Sequence, residues 1–204
     1  MDFLGKNKSA TFISAATTQS EEGYFDTAQK ALPKVKLTHL ILNETAGETI
    51  AKTENFLVGG GNTYLLLKRL KEKDLLRKIK ERVDSGASYI GLSAGANIAG
   101  PNILTTNDWN IVGTTDFKSL SLVPFNINPH YIPPHDKRIH SGETREERIK
   151  EYLTFNENPV VGIEENTFLK VENRVATVGG EGNAFLFHKG SNPEIITAGE
   201  SREF

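Results

Sequence analysis

The chain is 204 residues long, with 24 Lys plus Arg against 26 Asp plus Glu and a formal net charge of −2. That balance gives no electrostatic basis for binding nucleic acid or an anionic membrane. The absence of cysteine rules out disulfides, a thiol nucleophile and thiolate metal sites.

Apolar runs fall far short of a bilayer span, and the start MDFLGKNKSATFIS lacks the basic-then-apolar layout of a signal peptide. The expectation is a cytoplasmic protein with one domain over residues 1–204. Ala10–Ser14 (ATFIS) reads as a strand, and Tyr24–Leu32 as an amphipathic helix stopped at Pro33. Leu37–Leu42 is a second strand. Asn55–Val58 is a third, running into Gly59-Gly60-Gly61. Thr63–Lys71 and Leu75–Val83 have helical spacing, and Ser88–Leu92 is a fourth strand. Continuous apolar strands alternating with helices predict an α/β fold, its mostly parallel sheet covered on both faces.

Beyond that, Ala94–Ala99 is helix-compatible and Pro101–Asp116 reads as loop. Phe125–Tyr131 leads to a turn at Pro133-Pro134. Thr144–Leu153 is a helix that Thr144 and Glu147 can close with a capping box. Val160–Phe187 is strand-like, with turns at Glu172-Asn173 and Gly179-Gly180, and predicts a β-hairpin region.

Gly91-Leu92-Ser93-Ala94-Gly95 fits G-x-S-x-G, the turn that exposes a nucleophilic serine between a strand and a helix. Side chains at the glycine positions would collide, and the following helix N-terminus aims N–H groups at a developing oxyanion. The alternative is a small-residue turn that only packs helix on sheet. A serine hydroxyl needs a base. Of the five histidines, His39 lies inside a strand, His188 sits near a strand end beside Lys189, and His135 and His140 occupy a polar loop. His130 is favoured because Asn128-Pro129 holds the chain extended before it, placing it at a strand end. For the acid that orients the base, Asp108 and Glu165 both stand where a strand gives way to a loop, and the residues alone do not choose. Gly59-Gly60-Gly61-Asn62, also between strand and helix, can supply anion-binding N–H groups. It has neither the P-loop ending nor dinucleotide-fold spacing.

FLVGGGNTYLLLK, YIGLSAGAN, PNILTTND, INPHY, GETREERI and VVGIEEN stand in the order and spacing of peptidase E, the α-aspartyl dipeptidases, from about Ala10 to the C-terminus. The chain resembles that family, which implies a three-layer, flavodoxin-like or class I glutamine-amidotransferase-like fold. The resemblance implies Ser93 as nucleophile, His130 as general base and either Asp108 or Glu165 as triad acid. It implies backbone oxyanion donors at Gly60, Gly61 and Ala94. Arg145 would read the substrate's aspartyl carboxylate, with Asn62 also at the substrate site. A planar guanidinium suits a carboxylate because it offers two parallel hydrogen bonds.

The implied activity is hydrolysis of Asp-Xaa dipeptides through an acyl-enzyme, with no cofactor or metal, no nucleic-acid or membrane partner, and a monomer or homodimer. The family generally opens with a further strand and helix, where this sequence has only Met1–Ser9. That difference motivates an alternative: an inactive relative that binds a small ligand or assembles with a partner. Glu164-Glu165-Asn166 stands where relatives often carry Pro-Glu-Gly. A small α/β-hydrolase-type esterase shares G-x-S-x-G but leaves the upstream triple glycine unexplained.

Overall fold

The computed structural model describes residues 8–133 and 143–204; Pro134, His135 and His140 of the expected turn and polar loop lie outside the described residues. The first half of the chain forms β1 (Ser9–Ile13), α1 (Glu21–Ala31), β2 (Lys36–His39), α2 (Ala46–Ala51), β3 (Asn55–Val58), α3 (Thr63–Glu72), α4 (Leu75–Asp84) and β4 (Ser88–Gly91). Its four strands pair in parallel in the order β2-β1-β3-β4. Side-chain alternation explains why these strands read as continuous apolar runs. Ala10, Phe12 and Leu57 pack with Tyr24, Phe25, Ala28 and Leu32 of the α1 region. Ile13, Phe56 and Val58 pack on the opposite face with Leu66, Leu67 and Leu70 of α3 and with Leu75 and Ile79 of α4. Both faces are covered, so the buried set is mostly apolar, and the polar side chains among it, Thr11 and Asn55, are hydrogen-bonded.

Several boundaries differ from the sequence reading, and one helix is added. α1 starts earlier than Tyr24, because the Ser20 side chain accepts from the Gly23 N–H and caps it. β2 stops at His39 rather than Leu42. Its partner β1 ends one residue beyond their last paired position, after which Asn43 turns the chain by accepting from Thr45. The six-residue α2 falls in a segment the sequence left unassigned; Ala46 and Ile50 bury its inner side. Such a short helix shows too little periodicity to be read without the surface it packs on.

The second half forms α5 (Ala94–Asn97), β5 (Asn126–Pro129), α6 (Arg145–Phe155), β6 (Val160–Ile163), β7 (Thr167–Glu172), β8 (Val175–Gly180), β9 (Ala184–Phe187), β10 (Glu194–Ile196) and β11 (Ser201–Glu203). A second four-stranded sheet runs β10-β9-β6-β5, with β5 and β6 parallel and β9 antiparallel to β6. α6 covers one face, where Ile149, Tyr152 and Leu153 meet Tyr131, Val160, Phe185 and Phe187. β7 and β8 make the expected hairpin, their last pair Glu172 and Val175. Gly179-Gly180 does not close a second hairpin: β8 pairs instead with β11, and β9 joins β6 and β10. The three-residue strands β10 and β11 lie past Phe187, where the sequence reading ended. Tyr89 of β4 packs against the cores of both halves. The result is a three-layer α/β arrangement of mostly parallel strands and helices, extended by C-terminal strands. No helix among the described residues is long and apolar enough to cross a membrane.

Candidate active site

The C-terminal ends of the parallel strands β1, β3, β4, β5 and β6 carry the loops after Ile13, Val58, Gly91, Pro129 and Ile163. Crevices at such ends are where open α/β sheets hold ligands. Ser93 follows β4 with φ 51° and ψ −105°, a conformation L-residues rarely adopt. The strand-to-helix turn is too tight for side chains beside it. A Cβ on Gly91 would lie 2.4 Å from the Gly95 carbonyl oxygen, and one on Gly95 would lie 2.4 Å from that of Val58. The motif glycines are therefore required by the backbone.

His130 leaves β5 with φ 57°. Its Nε2 lies 2.9 Å from Ser93 Oγ, and its Nδ1 lies 2.5 Å from Glu165 Oε1. A carboxylate can only accept, so Nδ1 carries the proton; the neutral ring then offers Nε2 as acceptor to the serine hydroxyl. Glu165 reaches His130 because β6 pairs beside β5, and Asn166, with φ 59°, turns the chain just after it. His130 and Glu165 keep 50% and 63% of their side-chain surface exposed, so water screens their pairing.

Asp108, the other carboxylate the sequence left open, does not touch His130. Its Oδ2 accepts from the Thr63 N–H at 2.7 Å, the Thr63 hydroxyl at 2.5 Å and the Thr106 hydroxyl at 3.2 Å, at the N-terminus of α3. The loop carrying Asp108 doubles back across the site, which its position in the sequence does not reveal. Asn107 donates to the Pro129 carbonyl and accepts from Asn128, tying the same loop to the strand end that bears His130. Asn97 of α5 donates both to the Thr63 hydroxyl and to the Ser93 carbonyl. One polar chain thus connects the serine, the α3 N-terminus and the Asp108 loop. Thr63, Asn97, Thr106, Asn107 and Asn128 were missed by sequence reasoning. Only the i,i+4 spacing of Ser93 and Asn97 hinted at one link.

The triple-glycine turn lies against the serine: a Cβ on Gly60 would sit 3.1 Å from Ser93 Cβ. Gly61 has φ 132°, and a Cβ there would meet the Ala16 carbonyl oxygen at 2.3 Å, so only glycine fits. The Gly60 N–H already donates to the Tyr24 hydroxyl. The N–H groups of Gly61 and Ala94 have no partner among the described residues. Asn62 caps α3, its carbonyl accepting from Leu65 N and its amide donating to the Trp109 carbonyl. That side chain, which the resemblance places at the substrate site, also lines the adjoining cavity. A cavity of about 790 Å³ opens beside the turn, lined in part by Ala16, Tyr24, Gly60, Gly61 and Asp108. Arg69 ties down the turn that carries the cavity's lining residues Ala16 and Thr17, donating to the Ala15 and Thr17 carbonyls while pairing with Glu21 at 2.9 Å.

Arg145 opens α6, held by the capping box of Thr144 and Glu147. The Tyr131 hydroxyl donates to Glu146, fastening this helix end to the residue after His130. Burial, then repulsion from Arg148, lowers the Arg145 pKa, while the opposite charge of Asp108 raises it. Arg145 has no ion pair among the described residues. His39 is structural: it stacks on Phe25 at 4.7 Å and meets the fully buried Ser14 hydroxyl at 2.8 Å. His188 is exposed after β9. No group of three or more metal-binding side chains occurs among the described residues.

The model of peptidase family S51 matches residues 1–179. The chain belongs to that family. Peptidase E of Salmonella arizonae is 40% identical over 200 residues, covering 96% of this chain and 87% of its own length. Peptidase E of Streptomyces coelicolor is 43% identical over 156 residues, 75% of this chain and 64% of that protein. Among solved structures, a putative peptidase E from Listeria monocytogenes superposes with a TM-score of 0.64 at 26% identity, covering 99% of this chain and 90% of that one. A peptidase from an acI-B1 actinobacterium shares the fold, with a TM-score of 0.73 at 22% identity over 98% of this chain and 85% of that one. The residues matched by the S51 family model include Ser93, His130 and Glu165.

Proposed function

We propose that this S51 family member is a serine-type dipeptidase that cleaves Asp-Xaa dipeptides through an acyl-enzyme. The observation that carries this reading is the unbroken contact from Glu165 through His130 to Ser93. His130 Nε2 takes the Ser93 proton as Oγ attacks the scissile carbonyl, and Glu165 stabilises the imidazolium that forms. The N–H groups of Gly61 and Ala94, without a partner among the described residues, receive the oxyanion. His130 then protonates the leaving amine, and water repeats the sequence on the ester. Backbone donors fixed by folding need no reorganisation when charge develops, which is why such terms are large.

The preference for aspartate rests on Arg145. A half-buried guanidinium without an ion-pair partner among the described residues, at a helix N-terminus, favours an incoming carboxylate through both charge and backbone dipoles. The name peptidase E on relatives at 40–43% identity supports a peptidase. The non-catalytic alternative finds no support in this geometry. Purified protein should hydrolyse Asp-Leu well above Asn-Leu, and Ser93→Ala should lower the Asp-Leu rate by roughly 10³–10⁶-fold. Equal rates for wild type and Ser93→Ala would end the proposal; equal rates for the two dipeptides would remove the role of Arg145.

A further inference from the structure

We infer that Tyr24 is a positioning residue for the oxyanion site: its hydroxyl takes up the Gly60 N–H, leaving Gly61 as the donor that the triple-glycine turn presents to the reaction. This rests on the dipeptidase reading above and adds the side chain that sets the direction of its backbone donors. The N–H groups of residues 59 to 62 follow β3 in succession. That of Gly59 donates to the Ile13 carbonyl at 2.9 Å, that of Gly60 to the Tyr24 hydroxyl at 2.9 Å, and that of Asn62 to the Ala16 carbonyl at 2.8 Å. The Gly61 N–H alone among them has no partner among the described residues. Tyr24 supplies the one side-chain acceptor in the set.

Consecutive glycines do not hold a peptide plane in one direction by themselves, because without a Cβ their dihedrals range widely. Backbone carbonyls fix the planes on either side, and at Gly60 a phenol does so. The phenol is itself held. Tyr24 lies near the start of α1, a helix capped by Ser20 and tied through Glu21 to Arg69 of α3. Its ring meets the fully buried Phe12 edge-on, with centroids 5.2 Å apart. It also lies flush on the turn: a Cβ on Gly59 would come within 2.8 Å of the Tyr24 ring and hydroxyl. Core packing thus places the acceptor, and the acceptor places the peptide.

The turn abuts the nucleophile, since a Cβ on Gly60 would lie 3.1 Å from Ser93 Cβ. Rotation of the Gly59–Gly60 peptide therefore shifts the next N–H, that of Gly61, relative to Ser93. Without the hydroxyl, the half-buried Gly60 N–H loses its acceptor, and the turn gains by rotating until water reaches it. Gly61 then no longer aims at the place where charge develops. The loss falls on the transition state rather than on bound substrate, because the negative oxygen exists only there.

The test is Tyr24→Phe, which removes one oxygen and keeps the ring against Phe12 and Gly59. Its kcat for Asp-Leu should fall roughly 10–100-fold while KM stays within about threefold, the size expected of a donor displaced rather than deleted. The C1 aldehyde of aspartate probes the same place: Ser93 Oγ adds to its carbonyl carbon, the serine proton passes to His130, and the carbonyl oxygen becomes the oxyanion. Inhibition by this aldehyde should weaken by the factor that kcat loses. Wild-type kcat in the variant, a KM that rises as much as kcat falls, or undiminished inhibition by the aldehyde overturns the inference and leaves the dipeptidase reading intact. A second measurement does not depend on the variant folding. Gly60 and Gly61 both follow a glycine and share an intrinsic exchange rate, so in wild type the Gly60 amide should exchange its hydrogen about tenfold or more slowly than that of Gly61. Equal exchange also overturns the inference. Wild-type protein that leaves Asp-Leu uncleaved overturns both readings.

Discussion

The two four-stranded sheets contribute to the site by different physics. The parallel sheet of β1 to β4 positions the proposed nucleophile and the proposed oxyanion donors through the backbone: tight turns, a positive φ at Ser93, and positions where a Cβ would enter a carbonyl oxygen. The mixed sheet positions the proposed base and its orienter through side chains, His130 and Glu165, both substantially exposed and joined by one hydrogen bond. Damage to the first should cost folding as well as rate; damage to the second should cost rate alone.

The largest separation of rate from stability is expected at Glu165. Glu165→Gln should lower kcat by roughly 10²–10³-fold, less than the ~10⁴-fold found for a buried triad carboxylate, because water screens this pair. Its thermal midpoint should stay at the wild-type value. A variant with wild-type kcat would show that His130 needs no carboxylate and would break the comparison from the side-chain half.

Gly91→Ala probes the other half. Its Cβ must displace the Gly95 carbonyl or distort the turn, an overpacking cost of about 1–3 kcal/mol. In a chain of this size that lowers the midpoint by roughly 2–4 °C per kcal/mol, together with activity. Unchanged melting would show the backbone half to be as adaptable as the side-chain half.

The smallest effect concerns the helix that presents Arg145. The Thr144 N–H and then its hydroxyl hold the Glu147 carboxyl below its ordinary value of 4.5. A depressed folded-state pKa means that the capping box stabilises the fold above the unfolded value and is lost as pH falls through the folded one. Melting of wild type should therefore fall more steeply below about pH 4.5 than that of Glu147→Gln, which has no proton to gain. Identical acid slopes would mean that this box contributes nothing to folding.

Much of this architecture was legible before any coordinates. The strands around Phe12, Phe56 and Tyr89 are apolar on both faces because helices cover both, and that pattern survives in one dimension. Gly91, Gly95 and Gly61 were readable for a related reason: a backbone that excludes a side chain leaves a residue type as its mark. The Thr144–Glu147 box is local and was read correctly. The short helix Ala46–Ala51 and the strands past Phe187 were not, since their residues satisfy no local rule strongly and take their form from what they pack or pair with.

What the sequence determined by itself, then, was the layered fold, the elbow at Ser93 and a short set of candidate partners, because local sterics and periodic burial act between residues near in the chain. The contact of His130 with Glu165 and not Asp108, the part Asn62 takes in capping α3 and the occupation of the Gly60 N–H by Tyr24 were decided only in three dimensions. Each depends on which strand lies beside which and on where one loop doubles back, and hydrogen bonds between residues distant in sequence leave no spacing to read.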